Sequence, residues 1–279
     1  MIASRAELER LLFEDAPFGD LTSETLALGH AAGLMRFAAR GPMVAALVEE
    51  AASLVEIAGA EVTLSCAAGA ALDPGDAILS ARGPAPVLLR AWKTAQTLIE
   101  IWSGVATGAR AIVETARRAS PEAVVACARK TAPGTRAFAL AAIKAGDAIA
   151  HRAGLSETIL VFPEHRVFLN SEPLSEIAKR LRRAAPEKKL VIEVKTLEEG
   201  LAAVDAGFDV IQTEKFALQD VAELARRAAR AAPRPVIAAA GGVNAGNARA
   251  YVEAGASVLV TSAPYLAPPC DVAVTIAPA

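Results

Sequence analysis

From about residue 120 onward the chain alternates short apolar runs with amphipathic stretches, and that alternation admits few folds. The apolar runs are Val124 to Ala128, Leu190 to Val194, Val210 to Thr213, Val236 to Ala239 and Ser257 to Val260. Between the later ones lie stretches of helical periodicity: Leu174 to Ala184, Leu197 to Ala206, Leu218 to Ala231 and Ala245 to Ala254. Strands that alternate with helices predict a parallel sheet. Short, continuously apolar strands fit a sheet covered on both faces. No GxGxxG follows a strand, so a barrel explains the pattern better than an open dinucleotide-binding sheet.

The first hundred residues lack this rhythm. Glu7 to Phe13, Pro42 to Ile57 and Val87 to Thr107 read as helices, and Phe37 to Arg40, Glu61 to Ser65 and Ala77 to Ala81 as strands. The turn signal Asp73-Pro74-Gly75-Asp76 precedes the last of these. The expected architecture is therefore α/β: an N-terminal α+β sandwich domain over residues 1–108, then an incomplete, TIM-like parallel α/β barrel over 109–265. Asp271 to Ile276 alternates like a strand, and the 266–279 segment is expected to return to the first domain.

Charge narrows the function. Twenty-nine Lys and Arg face 31 Asp and Glu. This near balance argues against a nucleic-acid protein, so any anion site must be a local cluster. Cys66, Cys127 and Cys270 are scattered without CxxC spacing, which fits a reducing compartment and apolar filler. The N-terminus lacks the pattern of a secretory signal, and no run of about 20 apolar residues is present. A cytoplasmic protein without membrane partners is expected.

The local cluster is easy to find. Arg129-Lys130-Thr131, Arg136, His151-Arg152 and His165 gather in one stretch of small apolar residues, which suggests a polyanion pocket. Catalytic side chains of a βα barrel collect at the C-terminal ends of its strands. There the sequence puts Arg129 and Lys130, then Glu193, then Glu214 and Lys215, then Gly241-Gly242, then Thr261-Ser262. Glu193 and Glu214 can together hold Mg²⁺, which favours a few carboxylates plus substrate phosphates. The alternative is that each pairs with Lys195 or Lys215. Gly241 and Gly242 open a strand-to-helix connection where backbone amides can meet a phosphate, and Thr261 and Ser262 add hydroxyls.

Four motifs, in order, carry a resemblance over nearly the whole chain: Glu14-Asp15-Ala16-Pro17-Phe18-Gly19-Asp20, Ser103-Gly104-Val105-Ala106-Thr107, Arg129-Lys130-Thr131-Ala132-Pro133-Gly134 and His151-Arg152-Ala153-Gly154-Leu155. The chain resembles the quinolinate phosphoribosyltransferase family (nicotinate-nucleotide pyrophosphorylase, carboxylating). Its HRAGLSETILVF segment is similar to the ModD branch of that family. The resemblance implies a dimeric enzyme with Mg²⁺ as cofactor. A pyridine nitrogen attacks C1 of 5-phosphoribosyl pyrophosphate (PRPP), and pyrophosphate leaves. It also implies roles. Arg129, Lys130, His151 and Arg152 bind the acidic base and the phosphates. Glu193 and Glu214 hold metal and ribose, and with Lys130 form the catalytic set. Gly241 and Gly242, with Thr261 and Ser262 nearby, take phosphate. Lys93 stands where the family has an arginine supplied across the dimer. Phe162 replaces a family lysine and is expected to contact the acceptor ring, and Ala240 replaces a serine. These departures leave a second reading, a non-catalytic protein that binds a phosphometabolite or an oxyanion in a molybdenum-linked pathway.

Overall fold

The computed structural model describes residues 4–279. The chain forms two compact units. One comprises the residues up to Arg110 with Thr131–Asp147 and Pro264–Ala279; the other comprises Ala111–Lys130 and Ala148–Ala263.

The first unit is built on an antiparallel four-stranded sheet. Its order is Val272–Pro278, Ala32–Ala39, Ala77–Pro84 and Glu61–Leu64. The strand Ala32–Ala39 buries every second residue, with Met35 and Phe37 wholly enclosed, as the two-residue side-chain period of a half-covered strand requires. The C-terminal strand docks in register, with Phe37 opposite Val274. The helix read as Pro42 to Ile57 begins only at Val48. Met43–Val44 instead pairs with Ala71–Leu72, and Leu47 turns the chain with a left-handed φ of 55°.

The long helix Ala85–Arg117 runs ten residues past its expected end at Thr107. Trp102 on this helix meets Phe138 at 6.0 Å between ring centroids. Phe138 belongs to the helix Arg136–Ala145, which buries Ala139, Ala142 and Ile143. A Cβ on Gly146 would lie 2.4 Å from the Ala106 carbonyl oxygen, so only glycine permits this approach. Such packing explains why Thr131–Asp147 groups with the first unit, whereas the sequence reading put residues 109–265 into one barrel domain.

The second unit is a seven-stranded parallel sheet. Its order is Ile149–Ala150, Val124–Cys127, Val258–Thr261, Val236–Ala240, Val210–Glu214, Leu190–Val194 and Ile159–Val161. The last strand in sequence pairs with the first, and the others follow in chain order. The sheet is thus a curled barrel, open between Ile149–Ala150 and Ile159–Val161. Those two short strands are not apparent from the apolar runs. Small inward residues fill the interior: Ala238, Ala240 and Val260 form a buried cluster with Val210 and Val258 against it. Because side chains alternate, Val210, Gln212 and Glu214 share the inward face of one strand, with Glu214 at its C-terminal end.

Candidate active site

All seven strands of the second unit deliver residues to one cavity of about 280 Å³ at their C-terminal ends. Arg129 and Lys130 follow Val124–Cys127, and His151 and Arg152 follow Ile149–Ala150. Phe162 follows Ile159–Val161. Glu193 and Glu214 stand on the adjacent strands Leu190–Val194 and Val210–Glu214. Gly241, Gly242, Thr261 and Ser262 complete the wall. The expected cations, carboxylates and phosphate-site residues of this unit are therefore brought together.

The charges are left open to the cavity. Arg129, Lys130 and Arg152 make no ion pair among the described residues, and neither does Glu193 or Glu214. The sequence alternative in which Lys195 or Lys215 neutralises a carboxylate is not realised as an ion pair. Arg152 is only 8% exposed, yet its guanidinium pairs with no acid among the described residues. Burial first, and then the neighbouring Arg129, hold its pKa below the ordinary arginine value. The guanidinium lies 5.4 Å from the Phe162 ring centroid, a cation–π contact that orients it without satisfying its donors.

His151 is held below its ordinary pKa by burial and then by Arg152. Its charged form is thus harder to make in the folded protein than in the unfolded chain. Between the lowered value and about 6.5 the unfolded chain binds the extra proton, so stability falls as pH falls through that window. His151→Gln is expected to flatten the loss of melting temperature between about pH 7 and pH 5. An unchanged slope would assign the acid sensitivity elsewhere.

Glu193 sits opposite Gln212 in the strand register, and Gln212 Nε2 donates to its Oε2 at 2.6 Å. Burial pushes the Glu193 carboxyl above its usual value; the amide opposes this, and the nearby Glu214 and Glu164 reinforce it. Gln212 is itself buried, and its Oε1 accepts no hydrogen bond. The sequence reading missed Gln212. Its signal was a polar residue two before Glu214 on the same inward face.

The phosphate-site residues differ in what they offer. Thr261 Oγ1 donates to the Val243 carbonyl at 2.6 Å and accepts from the Ala263 amide at 3.0 Å, so its proton is committed to the backbone. The Ser262 hydroxyl makes no such hydrogen bond among the described residues. A Cβ on Gly242 would meet open space, whereas one on Gly241 would meet Lys215 and Glu214. The helix expected from Ala245 starts only at Ala248, because Asn244 and Asn247 close a turn onto the Gly242 carbonyl.

Two family models cover the chain: "Quinolinate phosphoribosyl transferase, N-terminal domain" over residues 20–103 and the C-terminal domain of the same name over 105–275. The chain belongs to the quinolinate phosphoribosyl transferase family. It is similar to the "Putative pyrophosphorylase ModD" of Rhodobacter capsulatus, 45% identical over 86% of this chain and 93% of that protein. It is also similar to the "Nicotinate-nucleotide pyrophosphorylase [carboxylating]" of Mycobacterium leprae, 29% identical over 94% and 92%. In fold it matches NadC from Streptococcus pyogenes, with a TM-score of 0.90 at 21% identity over 98% of this chain and 96% of that one.

Other expected residues of this family member lie outside the barrel cavity. Lys93 belongs to the first unit, where its Nζ donates to Gln96 Oε1 at 2.8 Å and sits 4.1 Å from the Trp92 ring centroid. It lines a larger cavity of about 650 Å³ with Trp102, Phe138 and Tyr265. That cavity is mostly apolar, and its charged lining residues are Glu14, Asp15 and Lys93, with no cluster of cations, so the smaller barrel cavity is the better reaction site. Arg136 starts a helix of the first unit, and His165 Nδ1 accepts from the Phe162 amide at 2.9 Å. No helix among the described residues is long and apolar enough to cross a membrane.

Proposed function

We propose that this member of the family transfers the phosphoribosyl group of PRPP to the ring nitrogen of a quinolinate-like or nicotinate-like acid. Family membership makes the chain a pentosyltransferase of the nicotinate-nucleotide pyrophosphorylase kind. The observation that carries the finer reading is the charge-separated cavity, with cations at one pair of strand ends and carboxylates at another, neither neutralised by the protein. A ligand with several anionic groups and a polyol or metal-bound centre matches both poles.

In this reading the C1–O bond to pyrophosphate breaks as the N–C1 bond forms, and pyrophosphate departs with the electron pair. Arg129, Lys130 and Arg152 stabilise the negative charge of the acid and of the phosphates, and His151 adds a neutral donor at pH 7. Such chemistry relies on alignment and charge stabilisation more than on proton transfer. Glu193 and Glu214 fit a Mg²⁺ ion. No group of three or more His, Cys, Asp or Glu suited to a metal occurs among the described residues. Two carboxylates completed by substrate phosphates are a donor set that Mg²⁺ accepts. When bound, the ion would offset charge on the departing pyrophosphate.

Release of pyrophosphate should be measured with PRPP, Mg²⁺ and either quinolinate or nicotinate. PRPP and Mg²⁺ together should also stabilise the fold, by about 2.7 kcal/mol at 100 times the dissociation constant, and so raise the melting temperature. No release with either acid and no PRPP-dependent shift would overturn the proposal. A purely anion-sensing role finds no support, because such a site has no use for paired open carboxylates.

We further propose that the protein is a homodimer in which Lys93 reaches the partner's cavity and contacts the substrate. Support comes from Lys93 lining a cavity of the first unit rather than the barrel cavity, and from Ile101, 42% exposed on the same helix. Lys93→Ala and Arg129→Ala, each inactive alone, should regain about a quarter of wild-type activity when unfolded and refolded together, because half of the dimers would carry one intact site. No recovery from two inactive variants would place Lys93 in the site of its own chain, and full activity of Lys93→Ala alone would place it outside the reaction.

A further inference from the structure

Lys215 stands out once the site is assembled. It follows Glu214 at the end of its strand with a φ of +58°, a left-handed conformation that non-glycine residues rarely adopt. Its amide donates to the Ala240 carbonyl at 2.9 Å, which ties this bend to the neighbouring strand just before the glycine turn. The side chain then runs across Gly241. A Cβ built on Gly241 would lie 2.5 Å from Lys215 Cγ and 2.9 Å from the Glu214 carboxyl carbon and Oε1. The absence of a side chain at Gly241 therefore makes room for the protein's own Glu214 and Lys215, while Gly242 keeps an open face. Lys215 is exposed and makes no ion pair among the described residues, although a carboxylate precedes it directly in sequence.

The cavity thus has two places for anionic groups. Arg129, Lys130 and Arg152 form the stronger one. The turn Gly241-Gly242, with the Ser262 hydroxyl, forms the other; Lys215 does not line the cavity but borders this turn through Gly241 and is the cation beside it. We propose that Lys215 is a phosphate-binding residue at the rim of this cavity, its stem held beside Gly241 so that its ammonium can reach the 5-phosphate of a phosphoribosyl ligand. This rests on the phosphoribosyl reading above. A lysine suits the task because it presents a compact charge that needs no bidentate geometry.

The test uses the full-length protein and two probes, ribose 5-phosphate and inorganic pyrophosphate, with PRPP as the complete donor. Lys215→Gly should weaken ribose 5-phosphate and PRPP by about tenfold or more, the usual effect of losing a charged hydrogen bond, and leave pyrophosphate binding unchanged. The same variant should melt at a higher temperature, because glycine takes a left-handed φ freely. Lys215→Arg should keep most of the affinity, and Lys215→Met should lose as much as Lys215→Gly. This comparison separates charge from backbone. Wild-type affinity for ribose 5-phosphate in Lys215→Gly and Lys215→Met would overturn the assignment and leave the phosphoribosyl reading standing. A wild-type protein that binds neither ribose 5-phosphate nor PRPP would overturn that reading itself.

Discussion

Arg152→Met is expected to lose turnover by about 100-fold or more without losing thermal stability. Most buried charges resist deletion because a partner is left stranded, but Arg152 has no acid partner among the described residues to strand. It is buried at 8% exposure, and burial together with Arg129 already works against its charged form. Methionine keeps the aliphatic stem and the contact with Phe162 while removing a charge that pairs with no acid among the described residues. The melting temperature should therefore stay level or rise. kcat/KM should fall because the guanidinium acts only on a bound anion. Unaltered kcat/KM would remove Arg152 from the site, and a large drop in melting temperature would mean that its role is structural.

Gly241→Ala should damage the reaction and the fold together. Its φ of +84° costs an alanine about 1–3 kcal/mol. The added Cβ would also press on the Glu214 carboxylate and on Lys215. Lys215 is exposed and can swing aside. Glu214 lines the cavity, and displacing it by about 1 Å would cost on the order of 100-fold in kcat. Gly242→Ala provides the control. Its φ of +87° imposes a similar strain, but its Cβ meets nothing within 4 Å. The two variants should lose similar stability, with kcat falling much further in Gly241→Ala. Equal kcat values would refute the view that Gly241 makes room for Glu214.

The strand ends of the barrel were legible because βα alternation places polar residues there in a fixed way. Glu193, Glu214 and Gly241-Gly242 each close an apolar run, and the structure puts all of them on one cavity. Ile149–Ala150 and Ile159–Val161 were hidden, since two or three residues are too few to show a period. The segment Thr131–Asp147 was assigned to the barrel because it follows a barrel strand in sequence. Phe138 meets Trp102 from 36 residues away along the chain and Gly146 meets the backbone at Ala106 from 40, and no local pattern reports such contacts.

What the amino-acid sequence determined by itself was the set of elements and the chemical types they carry, because side-chain periodicity, turn residues and strand ends are local properties. Only the tertiary structure decided how those types are used. The cross-strand register brought Gln212 beside Glu193. Curling of the sheet left Arg152 and the carboxylates facing one cavity without pairing. A left-handed bend laid Lys215 across a glycine that the sequence reading had given to phosphate alone. Each of these depends on distances between segments far apart in sequence, and such distances are fixed only when strands pair and side chains pack.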